Sequence, residues 1–425
     1  MEVMSGYKHS ELGVIPESWN VRHIASLCAP NGIVRGPFGG ALKKEIFVTS
    51  GFKVYEQKNA IYKSHEIGAY FVDQSKYNEL KRFNVSPGDF IVSCSGTIGR
   101  IYQVPLDAPE GVINQALLKL TTDDSVVHSL YFYLLFQWEK FQARIVDSTQ
   151  GGAMKNLVGM SVFKTTPVLL PPVPEQHAIA AALSDVDSLL TGLDRLIAKK
   201  HDIKQAALQQ LLTGQTRLPG FQGEWEVKQL GDVATFHKGR GLPKSALTPY
   251  GAEPCIHYGE LFTHYPEDIE TICSRTDDSA GAFRSAANDV LMPTSDVTPR
   301  GLAKASCVQL DGVILGGDIL VIRCDSKLLF GAFLSYTIRH QEAQILQLVT
   351  GTTVFHLYGR DMAKLVLSLP SVEEQIAIVR VLTDMASELT ALEARRDKTR
   401  ALKQGMMQEL LTGKTRLVKS EAAHV

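Results

Sequence analysis

Long apolar runs are missing from this 425-residue chain. No hydrophobic stretch approaches the roughly 18 residues that a membrane-spanning helix needs, and the opening MEVMSGYKHSELG lacks the charged-then-apolar pattern of a secretory signal. These absences predict a cytoplasmic protein. Cysteine is sparse too. Cys28, Cys94, Cys255, Cys273, Cys307 and Cys324 form no C-x-x-C pair, which argues against a zinc site and a disulfide framework and leaves reduced thiols. Histidine offers no metal-ligand spacing either: His257 and His264 have no H-x-x-x-H pair or cysteine cluster nearby.

Catalytic signatures are equally absent. There is no Asn-Pro-Pro-aromatic or Asp-Pro-Pro-aromatic tetrapeptide, and Pro171-Pro172 stands at a helix entrance. No G-x-G-x-x-G follows a strand and no G-x-S-x-G occurs. RGPFGG (35–40) is glycine-rich with the wrong spacing for a dinucleotide, and reads as a shaped loop. Gly413-Lys414-Thr415 resembles the end of a phosphate loop, but that loop needs a glycine at position 408, where the chain has Gln, and a strand leading into a helix. Neither a catalytic centre, a metal nor a cofactor is expected in this chain.

What is present is a duplication. Sliding the sequence over itself by 199 residues aligns PPVPEQHAIAAALSDVDSLLTGLDRL from Pro171 with PSVEEQIAIVRVLTDMASELTALEAR from Pro370, and LLTGQTRL (211–218) with LLTGKTRL (410–417). Upstream the match is weaker: Trp19-Asn-Val21 against Trp225-Glu-Val227, and Gly111-Val-Ile113 against Gly312-Val-Ile314. Each half is therefore a variable region followed by a retained segment. The resulting divisions are 1–170, 171–214, 215–369, 370–418 and a tail at 419–425.

The retained segments have helical periodicity. Apolar residues fall at Ile179, Leu183, Val186, Leu190, Leu193 and Ile197, and again at Ile378, Leu382, Met385, Leu389 and Leu392, the alternating four-three spacing of a coiled-coil seam. Prolines precede each segment, while Gly214 and Gly413 follow, as start and stop chemistry requires. Residues 175–212 would extend about 57 Å at 1.5 Å per residue. Two such helices can bury their seams against each other, and an antiparallel pairing would set the variable domains at opposite ends. The seam is interrupted at KKHD (199–202) and RRDKTR (395–400), which reads either as a solvated fray or as a place where another subunit's helices join.

The variable regions have short β-branched runs between glycines, as in GDFIVSCSGTIGRIYQV (88–104), GVINQALLKL (111–120) and GDILVIRC (317–324). One helix each is expected at 129–145 and 329–346. The fold class is α+β: two mixed domains separated by a pair of long antiparallel coiled-coil helices. Although net charge is only −1, residues 31–65 hold six Lys or Arg against two Glu, and 393–419 hold eight against three acidic residues. Such local patches can meet phosphates even on a neutral chain.

The segments LLPPVPEQHAIAAALS, LSLPSVEEQIAIVRVLT and the twin octapeptides resemble the two conserved regions of DNA-specificity subunits of type I restriction-modification systems. VYEQKNAIY (54–62), GDFIVSCSGTIG (88–99), GGAMKNL (151–157) and PCIHYGELF (254–262) are similar to segments of that family's target recognition domains. The resemblance implies a non-catalytic subunit whose two recognition domains each read half of a bipartite, asymmetric double-stranded DNA sequence. It implies two methyltransferase subunits and restriction-translocase subunits as partners, with S-adenosylmethionine, ATP and magnesium on them. It also implies that the helix pair acts as a ruler for the unread spacer. Rival readings are a stand-alone restriction enzyme or methyltransferase, which the missing motifs disfavour, and a coiled-coil scaffold without a DNA role.

Specific contact needs Arg, Lys, Asn or Gln at base edges, and affinity needs Lys or Arg at phosphates. In the first domain the candidates are Arg35, Lys43, Lys44, Gln57, Lys58 and Asn59. Taking Val54 and Ile256 as equivalent places gives Lys238, Arg240, Lys244, His257 and Tyr258 in the second. Thr97 and Arg100 of SGTIGR read as a turn, with backbone contact as the alternative. The acidic stretch 266–280 (Glu267, Asp268, Glu270, Asp277, Asp278) should face away from DNA or meet a partner.

Overall fold

The structure, a computed structural model, describes residues 5–147 and 156–417. Chain contacts divide it into two compact units, Met1–Gly192 with Arg396–Val425, and Leu193–Arg395. Each contains a variable region together with pieces of both long helices, which span Val173–Leu212 and Val372–Leu410.

In the first unit a four-stranded antiparallel sheet has the order Cys28–Arg35, Leu117–Thr122, Phe90–Ser93, Ile101–Gln103. A second sheet sets Gly111–Ile113 parallel to Phe52–Tyr55. The second unit repeats this plan. Ala234–Lys238, Ile319–Cys324, Asp289–Pro293 and Ser306–Val308 form the first sheet, and Ile314–Leu315 runs parallel to Glu253–Ile256 in the other. Both copies place a buried aspartate at the head of a central strand: Asp89 accepts from the Ser86 amide at 2.9 Å and Asp289 from the Ala286 amide at 2.8 Å.

Part of the acidic stretch becomes scaffold. Asp268–Ile269 adds a fifth strand to the first sheet, Glu267 pairs with Arg339 at 3.2 Å and Asp268 accepts from Gln309. Burial raises the Asp268 carboxyl above its usual range.

The expected single helices are each two. The first breaks at Trp138 between Ser129–Gln137 and Glu139–Ile145, and the second at Gln341 between Gly331–His340 and Glu342–Leu346. A continuous helix would turn Phe136 and Phe141 to faces about 140° apart. The break lets both rings enter one core, their centroids 5.2 Å apart.

The long helices pair antiparallel: Asp187 meets Lys403 at 2.6 Å in the first unit, while Lys200 meets Glu388 at 2.7 Å in the second. The interrupted seam at KKHD is thus solvated but not frayed: Lys199, His201 and Asp202 are exposed, both helices run through, and Lys200 and His201 reach Glu388 and Glu393. Only part of the seam is dry. Leu193, Ile197 and Leu389 are buried, whereas Val186, Leu190, Met385 and Leu392 are half-exposed. Ile179 and Leu183 join the first domain's core with Met407, Leu410 and Leu411, and Ile378 and Leu382 join the second's with Leu211 and Leu212.

The repeated letters have local causes. Gly214 and Gly413 take φ of 70° and 71°, the left-handed stop that glycine favours, with Trp225 and Trp19 packed so closely that a Cβ would stand 3.2 and 3.4 Å from their rings. Beyond each stop, an arginine closes a lock on the other helix's first turn. Arg217 grips Glu374 with two bonds of 2.6 Å, and Arg416 grips Glu175, which also accepts from Trp19 Nε1 at 2.8 Å. The neighbouring glutamines pin the domains: Gln176 accepts from the His128 amide and Gln375 from the Phe330 amide, both at 2.8 Å.

Candidate nucleic-acid interface

In the first unit Arg35 ends its strand opposite Leu118, and the chain then turns so tightly that a Cβ on Gly36 would lie 1.9 Å from the Asn114 carbonyl oxygen. Lys43 and Lys44 follow, both exposed. Gln57 Oε1 accepts from the Ser95 amide at 3.1 Å, tying the 95–99 loop to the start of the Gln57–Tyr62 helix. Thr97 is exposed on that loop and Arg100 is exposed just beyond it. Arg35, Gln57 and Thr97 therefore border neighbouring turns. Lys58 pairs with Glu56 at 2.8 Å and lies over the Tyr70 ring.

Asn59 must be withdrawn as a base reader. It is fully buried, its Oδ1 accepts from the Glu56 amide at 2.7 Å, and its Nδ2 donates to the Ser64 and Ile67 carbonyls. Both donors of its amide are used and the buried group is out of a base's reach. GGAMKNL lies outside the described residues except for Asn156 and Leu157, which form a short strand bridged to Ser95.

The second unit holds the same frame with other side chains. Lys238 stands opposite Leu320 as Arg35 does opposite Leu118, and Gly239 presses on the Gly316 carbonyl as Gly36 does on Asn114. The Arg240 amide donates to the Leu315 carbonyl and the Gly316 amide to that of Ile256, so Arg240 and His257 flank one turn. Lys244 is exposed on a short turn nearby. One ring nitrogen of the half-buried His257 is committed to the backbone: Nδ1 accepts from the Gly259 amide at 3.1 Å, capping the turn that carries Tyr258. Because Glu56 and His257 occupy the same cap, Val54 corresponds to Cys255, and the equivalence taken from the sequence is one residue out. Gln57 and Tyr258 are the true counterparts.

Lys238 lines a cleft of about 700 Å³ together with His237, Ser295, His356, Tyr358 and Arg360. His356 and Tyr358 stack with centroids 6.1 Å apart, and the Arg360 guanidinium lies 5.2 Å over the Tyr358 ring. Lys238 pairs with Asp318 at 3.2 Å across exposed surface. The sequence reading missed these last three residues, although HLYG occupies the place of NLVG beside GGAMKNL; the second copy of that segment was the available signal. Chemically the cleft offers cations, aromatic faces, hydroxyls and the Asp318 carboxylate. Cys94 and Cys255, near the two turns, are pushed up to about 12 and about 11 by burial, so neither supplies a thiolate. Among the described residues no group of three His, Cys, Asp or Glu could hold a metal, and no helix is long and apolar enough to cross a membrane.

A family model, the type I restriction modification DNA specificity domain, matches residues 16–204 and again 222–400. The chain belongs to this family. A Methanocaldococcus jannaschii chain described as the specificity subunit of the type I restriction enzyme MjaX is 22% identical, over 97% of both chains. The MjaVIII specificity subunit of the same organism is 22% identical over 72% of this chain and 75% of its own. The fold is shared with the HsdS subunit from Thermoanaerobacter tengcongensis, with TM-score 0.53, 16% identity, and coverage of 94% of this chain and 98% of that one. A chain from a structure on complex assembly and conformational transition of the type I R-M system reaches TM-score 0.60 at 17% identity, covering 94% and 99%. As a type I specificity subunit, the protein is the DNA-recognition component of a restriction-modification complex and not its enzyme. Its partners are DNA and the other subunits of that complex.

Proposed function

We propose that each unit reads one half of a bipartite, asymmetric DNA sequence, with the loops around Arg35, Gln57 and Thr97 serving one half-site and the Lys238–Arg360 cleft the other. One observation carries this reading: the loop frame is repeated while its side chains are not. Arg35, Gln57 and Asn156 give way to Lys238, Tyr258 and His356 on equivalent backbone, whereas Glu175, Gln176 and Arg217 recur as Glu374, Gln375 and Arg416. Divergence at the reading surface on a fixed frame is what two different half-sites require.

Two methyltransferase subunits join this chain, restriction-translocase subunits join for cleavage, and S-adenosylmethionine, ATP and magnesium sit on those partners in the cytoplasm. The length of the helix pair sets the unread spacer. The test is equilibrium binding of the chain with its methyltransferase partner to duplexes, with native mass spectrometry for the stoichiometry. Preference for one bipartite sequence and a steep loss of affinity with salt support the reading. Salt-independent association with protein alone would instead support the scaffold.

A further inference from the structure

We propose that Arg360, braced on Tyr358, is the side chain with which the second unit recognises a guanine in its half-site; this rests on the half-site reading above. Arg217, Arg284, Arg323 and Arg339 of this unit are each held by a carboxylate at 2.6 to 3.2 Å. Arg360 is not held in that way. Its side chain is 81% exposed, and Asp361, 3.6 Å from Nε, is closer to Lys364 at 2.8 Å. The two terminal nitrogens of the fork remain for a ligand.

The segment that carries it is firmly seated. A Cβ on Gly359 would stand 2.8 Å from Phe236 Cβ, so the backbone lies against the sheet, and Leu357 and Met362 on either side are fully buried. Stacking on Tyr358, itself stacked on His356, restricts the guanidinium before any ligand arrives. Beside it, Ser295–Asp296 and Phe355–His356 form a two-stranded ribbon, an element that the major groove of B-DNA admits. A planar fork presented there matches the O6 and N7 acceptors of guanine, the commonest specific contact an arginine makes. Lys238, across the same cleft, would meet phosphate.

The equivalent position of the first unit does not carry this fork. Its counterparts to His356, Tyr358 and Arg360 are Asn156, Val158 and Met160, and a thioether has no donor. The guanine read by Arg360 therefore lies in the second unit's half-site.

Single-molecule sequencing of DNA methylated by the full chain with its methyltransferase partner tests this. For Arg360→Gln the expected result is relaxation, or a switch towards adenine, at one guanine of one half-site. Discrimination there falls on the order of 10- to 100-fold, and the other half-site is unchanged. Arg360→Lys keeps the charge and loses the fork, so it should relax the same position while leaving the salt dependence of binding unaltered. An identical motif for both variants overturns the proposal and leaves the half-site reading standing. Loss of methyltransferase association with an unchanged motif makes the cleft a protein-docking face and also overturns it. Absence of any bipartite motif for the unaltered chain defeats the underlying reading itself.

Discussion

Polar residues of the first unit differ sharply in burial, and substitution should separate the exposed from the buried. Lys43 and Lys44 are exposed beside the Arg35 turn; removing either charge should weaken DNA binding uniformly across sequences and lower the salt slope by about one. Asn59→Ala should do neither. It strands the Glu56 amide and two carbonyls, so a loss of about 1–3 kcal/mol in denaturant-measured stability is expected, with an unchanged methylation motif. From the sequence Asn59 looked like Lys58's partner in recognition because residue type was all that could be read. Its hydrogen bonds close a turn, and only the fold shows that they are used up. A third residue carries a pH signature. The His128 and His177 rings lie tilted with centroids 3.9 Å apart, and burial first, then the neighbouring imidazole, lower the His128 pKa below its ordinary 6.5, against the pull of Asp124. The unfolded chain then takes up the proton more readily, so stability is present above pH 6.5 and declines as pH falls below it. His128→Phe, the residue at the equivalent position 330, should show a smaller drop in denaturation midpoint between pH 7.5 and 5.5 than the unaltered chain.

The long helices were legible because their ends are written in local chemistry: proline before, Glu-Gln in the first turn, glycine after. The reason for the Thr-Arg-Leu tails was not. Arg416 is 241 residues from Glu175, and Arg217 is 157 from Glu374. Glu175 and Glu374 are almost wholly buried, so each arginine neutralises a carboxylate that water cannot reach. Arg416→Met should cost about 3–5 kcal/mol by leaving that charge uncompensated. Adding Glu175→Gln to it should recover a substantial part, and equal losses for the single and double variants would show that the charge pair is not the source. The helix break at Trp138 was beyond sequence reading for a similar reason. Periodicity across 129–145 is consistent with one helix, and it is the core's demand for both Phe136 and Phe141 that ends it.

At the scale of the whole molecule, the duplication gives one chain two reading surfaces on the same frame and two helices of nearly equal length, 40 and 39 residues. The seam ends at Ile179 and Leu183, and at Ile378 and Leu382, are embedded in domain cores. A change of length made in the helix interiors therefore leaves the reading loops and both arginine locks untouched. Four residues inserted at facing positions of both helices add about 6 Å of rise and only about 40° of net rotation, since four steps of 100° nearly complete a turn. The cross-helix pairs at Asp187–Lys403 and Lys200–Glu388 stay in register because both strands of the pair lengthen together. At 3.4 Å per base pair this should lengthen the spacer of the methylated motif by about two base pairs while both half-site sequences remain as they were. Insertion into one helix alone should abolish the pairing and the bipartite motif with it. A spacer that stays constant in the doubly extended chain, with methylation intact, would mean that the spacing is imposed by the methyltransferase partners and not by these helices.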